Sequence, residues 1–262
     1  MLHSITKGKF PLILDRTVLI AVLILPAINY CLASLSRSLY FQDGTTAIWL
    51  ITGVYVAAVL RLGYRIYPAI FLSELITNYL LFYQNIWVSS VLAVIGIIDP
   101  LVIAFLINRF IKRRSLLLRV PDVLKFLVCF LPSMTLTTTL SVIILCLGGY
   151  SPWGEYAQVW RGWFTANIGG VLILTPALLE CFEQPPQLRN LDKQKLTEFA
   201  LLLFLLIVVC RVSFWGGYPL EYVMLPLLMW SAFRFQAREA TLLVVMVSAS
   251  AWFRIVCEKV AC

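Results

Sequence analysis

Four polar side chains interrupt long apolar runs and carry most of the chemistry open to this sequence: Glu74, Asn78, Asp99 and Asn167. Glu74 and Asn78 are four residues apart, which puts them on one face of a helix. Asp99 directly precedes Pro100, and a proline within a helix strips the carbonyl one turn earlier of its partner and bends the chain. Asn167 shares a helical face with Gly170 and Thr175, with Pro176 following, and Asn29 stands behind Pro26 in an earlier run. An acidic or basic side chain at the centre of a bilayer costs about 2.5–3.5 kcal/mol on insertion scales, so intramembrane ionisable groups point to function. Two readings stand open. In one, Glu74, Asn78, Asp99 and Asn167 converge on an internal polar pocket. In the other they are hydrogen-bonded glue between helices, a frequent role for such groups.

Other chemistries fall away. The single histidine is His3, in the N-terminal tail, so neither haem held by intramembrane histidines nor a His-based metal centre is expected. The sequence offers no Ser/His/Asp or Cys/His nucleophile set, no phosphate-binding loop and no HExxH, and we expect no enzyme, no metal and no cofactor. Of the seven cysteines, Cys31, Cys129, Cys146, Cys181 and Cys210 lie in or beside apolar runs as small hydrophobes. Cys257 and Cys262 are close enough in sequence to pair only if they face an oxidising side. Trp153, Trp160, Trp163, Trp215 and Trp230 read mainly as interfacial belt anchors. Gly169-Gly170 reads as a point of close helix approach.

The elements that must position the polar groups are set by composition. The chain has 262 residues, 61% hydrophobic and 13% charged, with a mean hydropathy of +0.90. A soluble domain carries about 45–50% apolar and about 25% charged residues, so the solvent of this fold is a bilayer. Continuous apolar runs, rather than alternation, predict helices and not a barrel. With about 20 residues needed per crossing, the expected fold is an all-α, polytopic transmembrane bundle of eight to nine spans. Nine segments fit, at roughly 16–35, 45–61, 66–83, 86–108, 122–147, 159–180, 196–212, 219–234 and 238–256, the second and eighth being short. The first follows a basic start without a cleavage site and reads as an uncleaved anchor.

Charge then orients the bundle. With the N-terminus in the cytoplasm, 16 of the 21 Lys and Arg fall on cytoplasmic loops, including the dense stretch from Arg109 to Lys125. The net charge of +8 therefore needs no nucleic acid. An odd number of spans would leave the C-terminus outside. The sequence shows no internal repeat of the kind inverted-repeat transporters carry.

Several stretches, in order, carry a resemblance. They are Trp49 with Thr52-Gly53, the connection GYRIYP ending at Pro68, and Glu74 to Asn78. Further on come Trp163-Phe-Thr-Ala-Asn167 leading to Thr175-Pro176, and YPLEYVMLPLLMWSAFRF around Pro226. Together they resemble the first class of membrane-associated sensor domain, the N-terminal membrane region of bacterial histidine kinases and diguanylate cyclases. That family usually shows Trp-Pro-Pro-Gly where this chain has Trp49-Leu-Ile-Thr-Gly53, and often Gly-Asp where Ala166-Asn167 stands. The resemblance implies a single sensor domain over 1–262 in a bacterial inner membrane, truncated at its C-terminus and without a soluble output domain. It implies that an unknown signal, perceived among the helices, passes to a partner. The expected partners are the lipid bilayer, a separate kinase or cyclase, or a second copy, and no nucleic acid. The alternative is a small-molecule or proton-coupled permease using Glu74 and Asp99.

Overall fold

A computed structural model describes residues 16–37, 48–110, 120–183, 193–216, 218 and 220–260. Among them are nine α-helices and no strand. They are α1 (Arg16–Arg37), α2 (Leu50–Leu62), α3 (Tyr67–Thr77), α4 (Ile86–Phe110), α5 (Val120–Leu147), α6 (Tyr156–Glu183), α7 (Lys193–Gly216), α8 (Met224–Arg234) and α9 (Ala237–Val260). A 3₁₀ turn (Tyr64–Ile66) leads into α3, and a π-helical turn (Asn78–Tyr83) continues from its end. His3, the basic residues of 112–119, Pro185-Pro186 and Cys262 lie outside the described residues, as do the side chains of Cys129 and Cys257.

Among the described residues, six helical segments are long and apolar enough to cross a membrane: Arg16–Arg37, Tyr64–Tyr83, Ile86–Phe110, Leu124–Leu147, Trp153–Phe182 and Gln194–Gly216. The second and eighth expected spans are shorter as helices than the apolar runs suggest. With 13 and 11 residues, α2 and α8 reach about 20 and 16 Å, against a hydrocarbon layer of about 30 Å. At the start of α2 the Trp49 N–H, one of the donors that a helix N-terminus leaves free, is taken up by α6, donating to the Ala166 carbonyl at 2.9 Å. Before α8, residues 221–223 are taken up by a 3₁₀ turn.

Short α2 can be apolar all round because it sits in the middle of the bundle. Helices α1, α4 and α6 pack on it, while α1–α3, α3–α4, α4–α5 and α5–α6 contacts close an arc around it. Its Ile51, Tyr55, Val56, Ala57 and Val59 are buried, as expected of a helix with no polar face. Two apolar clusters flank it. One joins Val56 and Ala57 to Ile103, Ile107, Phe126, Phe130 and Met134. The other joins Ile51 and Tyr55 to Leu25, Ile66 and Ile70. Helices α7, α8 and α9 build a separate small core around Leu202, Leu206 and Leu243, and α9 packs on α6.

The connection from α2 to α3 follows from three residues. Gly63 has φ +87°, a conformation L side chains rarely adopt, and its N–H closes α2 by donating to the Val59 carbonyl at 2.8 Å. Pro68 then stands in the first turn of α3, where its missing N–H costs nothing. The turn is tight enough to return α3 along α1.

Candidate functional site

A cavity of about 100 Å³ opens among five helices, lined by Thr52 and Tyr55 of α2, Glu74 of α3, Gly96 and Asp99 of α4, Thr137 and Ser141 of α5, and Asn167 of α6. Asn78, at the start of the π-helical turn, completes the polar wall. All four residues singled out from the sequence therefore face one space. It lies toward the end of the bundle where α2, α4 and α6 begin and α3 and α5 finish. There Trp49, Phe82, Tyr83 and Trp163 supply aromatic walls. Trp163 thus faces inward, where a belt anchor was expected. Trp160 is also tied inward, its Nε1–H donating to Thr139 Oγ1 at 3.0 Å while its ring stacks on Phe164 at 4.8 Å.

Three hydrogen-bonded groups surround the cavity. The first ties α1, α2 and α3 together. Asn29 Nδ2 donates to the Tyr55 hydroxyl at 2.8 Å and lies 3.4 Å from Glu74 Oε1. Tyr55 donates in turn to Ser73 Oγ at 2.7 Å, and Asn78 Nδ2 donates to Glu74 Oε2 at 3.2 Å. Asn29 and Ser73 are fully buried. Gly96 makes the site for the carboxyl group, since a Cβ there would lie 3.2 Å from Glu74 Cγ.

The second group ties α4 to α5. Ser133 and Thr137, one turn apart, donate to the two oxygens of Asp99 at 2.6 Å each. The third ties α2 to α6: Thr52 Oγ1 donates to Asn167 Oδ1 at 2.6 Å, and Asn167 Nδ2 donates to the Trp163 carbonyl at 2.9 Å. Each such bond between membrane helices is worth on the order of 1 kcal/mol. The two asparagines therefore do both jobs at once, bonding helices together and lining the cavity.

The contact between α2 and α6 forms one wall, and its closeness is set by glycine. A Cβ at Gly170 would run into the Trp49 carbonyl, and one at Gly53 would run into the Gly170 carbonyl. Thr175 Oγ1 donates across the same contact to the Gly53 carbonyl at 3.1 Å. So Trp49, Gly53, Thr175 and Asn167, scattered in sequence, belong to one interface. Pro176 continues the same helix, Pro68 sets the start of α3, and Pro226 lies in the first turn of α8, away from the cavity.

The sequence reading missed Tyr55, Ser73, Ser133 and Thr137. The α5 set had a signal, because Ser133, Thr137 and Ser141 repeat every four residues along one helical face. Tyr55 had none, since its partners come from helices 26 and 18 residues away in sequence. Elsewhere, Arg211 lies over the Trp215 ring (4.8 Å to the centroid) and Arg234 pairs with Glu198 (2.5 Å). Among the described residues no group of His, Cys, Asp and Glu could hold a metal ion.

A model of one protein family, MASE1, matches residues 18–256, nearly the whole chain. No curated protein and no solved structure matches.

Proposed function

The chain belongs to the MASE1 family of membrane sensory domains, and on that premise we propose that it perceives a small signal in the cavity beside α2 and relays it by repacking α2 against α6. The observation that carries this reading is the shared wall. The residues that line the cavity, Thr52 and Asn167, are the same ones that join the two helices, one residue from Gly53 and three from Gly170 at the glycine-tight contact. An occupant that draws on either side chain competes with the bond holding the helices together. A ligand shifts a helix-packing equilibrium only as far as it binds the two packings differently. A side chain shared between ligand and interface supplies that difference.

Helix α6 also carries α9, so a shift at α2–α6 reaches the α7–α9 core. From there it passes to a partner, either a separate kinase or cyclase or a second copy of the chain. The setting is a bacterial inner membrane with the N-terminus in the cytoplasm, as the Lys and Arg distribution favours. In that orientation the cavity lies in the outer half of the bundle.

A permease is the competing reading, favoured by the presence of both Glu74 and Asp99 on one cavity wall. Weighing against it is the opposite half of the bundle. There Ile103, Ile107, Phe126 and Phe130 fill the core between α2, α4, α5 and α6, and all four are buried. In proteoliposomes holding a pH-sensitive dye, the chain is expected to move neither protons nor methylammonium above empty vesicles. Flux that disappears in Glu74→Gln would overturn the sensory reading in favour of transport.

A further inference from the structure

We propose that the cavity takes a small organic ammonium ion, a step that rests on the sensory reading and names the class of its signal. Two carboxyl groups face the cavity, and among the described residues that line it none is Lys, Arg or His. The partners of Glu74 are the amides of Asn29 and Asn78, and those of Asp99 are the hydroxyls of Ser133 and Thr137. All are neutral. A buried carboxylate without an opposite charge is costly, and the chain's own side chains at the cavity supply no such charge.

The groups left over nearby are acceptors too. Residue 100 is proline and has no N–H to give the carbonyl of Gly96, a residue of the cavity wall. The Oδ1 of fully buried Asn29, in the Glu74 network behind that wall, accepts no hydrogen bond. A guest that donates or is positive suits these surroundings, whereas an anion or zwitterion places negative charge against two carboxyl groups.

The aromatic side separates an organic cation from a metal ion. Trp49 and Phe82, both on the cavity wall, meet edge to face at an interplanar angle of 63° with centroids 6.1 Å apart. Aromatic rings attract cations by about 0.5–2 kcal/mol, and aromatic walls are how alkylated ammonium groups are held. A hydrated metal ion would use the acceptors and leave the rings idle. Size sets the upper limit: about 100 Å³ is well below the roughly 300–1,000 Å³ of sites for drug-sized ligands, so the guest has only a few heavy atoms.

The test is calorimetric titration of the full chain in lipid nanodiscs with tetramethylammonium and with choline. Tert-butanol serves as the neutral counterpart, and acetate and potassium chloride as ionic ones. Saturable binding of both ammonium ions, with none of the other three, is expected. Glu74→Gln should weaken it at least tenfold, and exposed Glu198→Gln should leave it unchanged. Phe82→Leu keeps both carboxyl groups and should weaken tetramethylammonium severalfold, which preserves the test if Glu74→Gln does not fold. Lack of saturable ammonium binding, equal binding of tert-butanol, or unchanged affinity in both cavity variants would overturn the proposal. Binding of acetate or tert-butanol alone sinks the ammonium class but spares the sensory reading. Ammonium binding without any change at α2–α6 supports the class and counts against that reading.

Discussion

At the scale of single residues, Tyr55 ties three helices together. It is 2% exposed, and its hydroxyl both accepts from Asn29 and donates to Ser73, so one oxygen links α1, α2 and α3. Removing that oxygen takes a buried partner from both Asn29 and Ser73, a loss of about 1–3 kcal/mol. Tyr55→Phe is therefore expected to lower the thermal unfolding midpoint in detergent clearly. Tyr64→Phe, whose hydroxyl only accepts a 3.3 Å bond from exposed Asn108, should not move it. Equal midpoints for the two variants would show that the Asn29–Tyr55–Ser73 group adds nothing to the fold.

How much of the site could be read from sequence also depends on residue type. Glu74 and Asn78 announced themselves, because a carboxyl and an amide in an apolar run are conspicuous and their spacing places them together. Hydroxyls do not stand out in this way. The one hydroxyl proton of Thr137 has two acceptors in reach, the Ser133 carbonyl one turn back at 3.1 Å and Asp99 at 2.6 Å. A threonine in a membrane helix is thus consistent with packing, capping or a site, and only the neighbour on α4 decides. Tyr55 reads as one more aromatic until α1 and α3 are laid beside it.

Among elements, α2 decides most of the architecture. Its 13 residues are too few for an independent crossing, yet it is the most enclosed of the helices that line the cavity. Apolar length alone suggested a span from 45. The helix begins at Leu50, and the N–H of its N-cap Trp49 is bonded to α6, a tertiary partner that no local pattern encodes. By contrast, close approach at Gly169-Gly170 was legible, and the structure separates the two glycines. A Cβ at Gly169 would lie 3.6 Å from Ile48, an ordinary contact, whereas one at Gly170 meets backbone. Overpacking typically costs about 1–3 kcal/mol. Gly170→Ala should lose stability on that order in thermal or denaturant unfolding, and Gly169→Ala should be close to neutral. A neutral Gly170→Ala would mean that α2 and α6 are not held at the distance described.

For the molecule as a whole, a polar cavity in one half of a membrane bundle stands against an apolar core in the other, with α6 common to the cavity and to the α7–α9 unit. Of the motifs from which the family was readable, Trp49 to Gly53 and Trp163 to Pro176 meet at the α2–α6 contact, where a Cβ at either glycine would run into backbone. The number of crossings was less readable. An apolar run long enough to span does not say whether its residues are helical throughout, and α2 and α8 are not. The central claim is that the cavity and the α2–α6 contact are one coupled device. Hydrogen exchange by mass spectrometry, on the chain in nanodiscs, compares wild type with Glu74→Gln and tests this without any ligand. A change on α3 should be accompanied by altered exchange at residues 48–55 and 163–175. Exchange altered on α3 alone, with Trp49 and the α6 segment unchanged, would contradict the account.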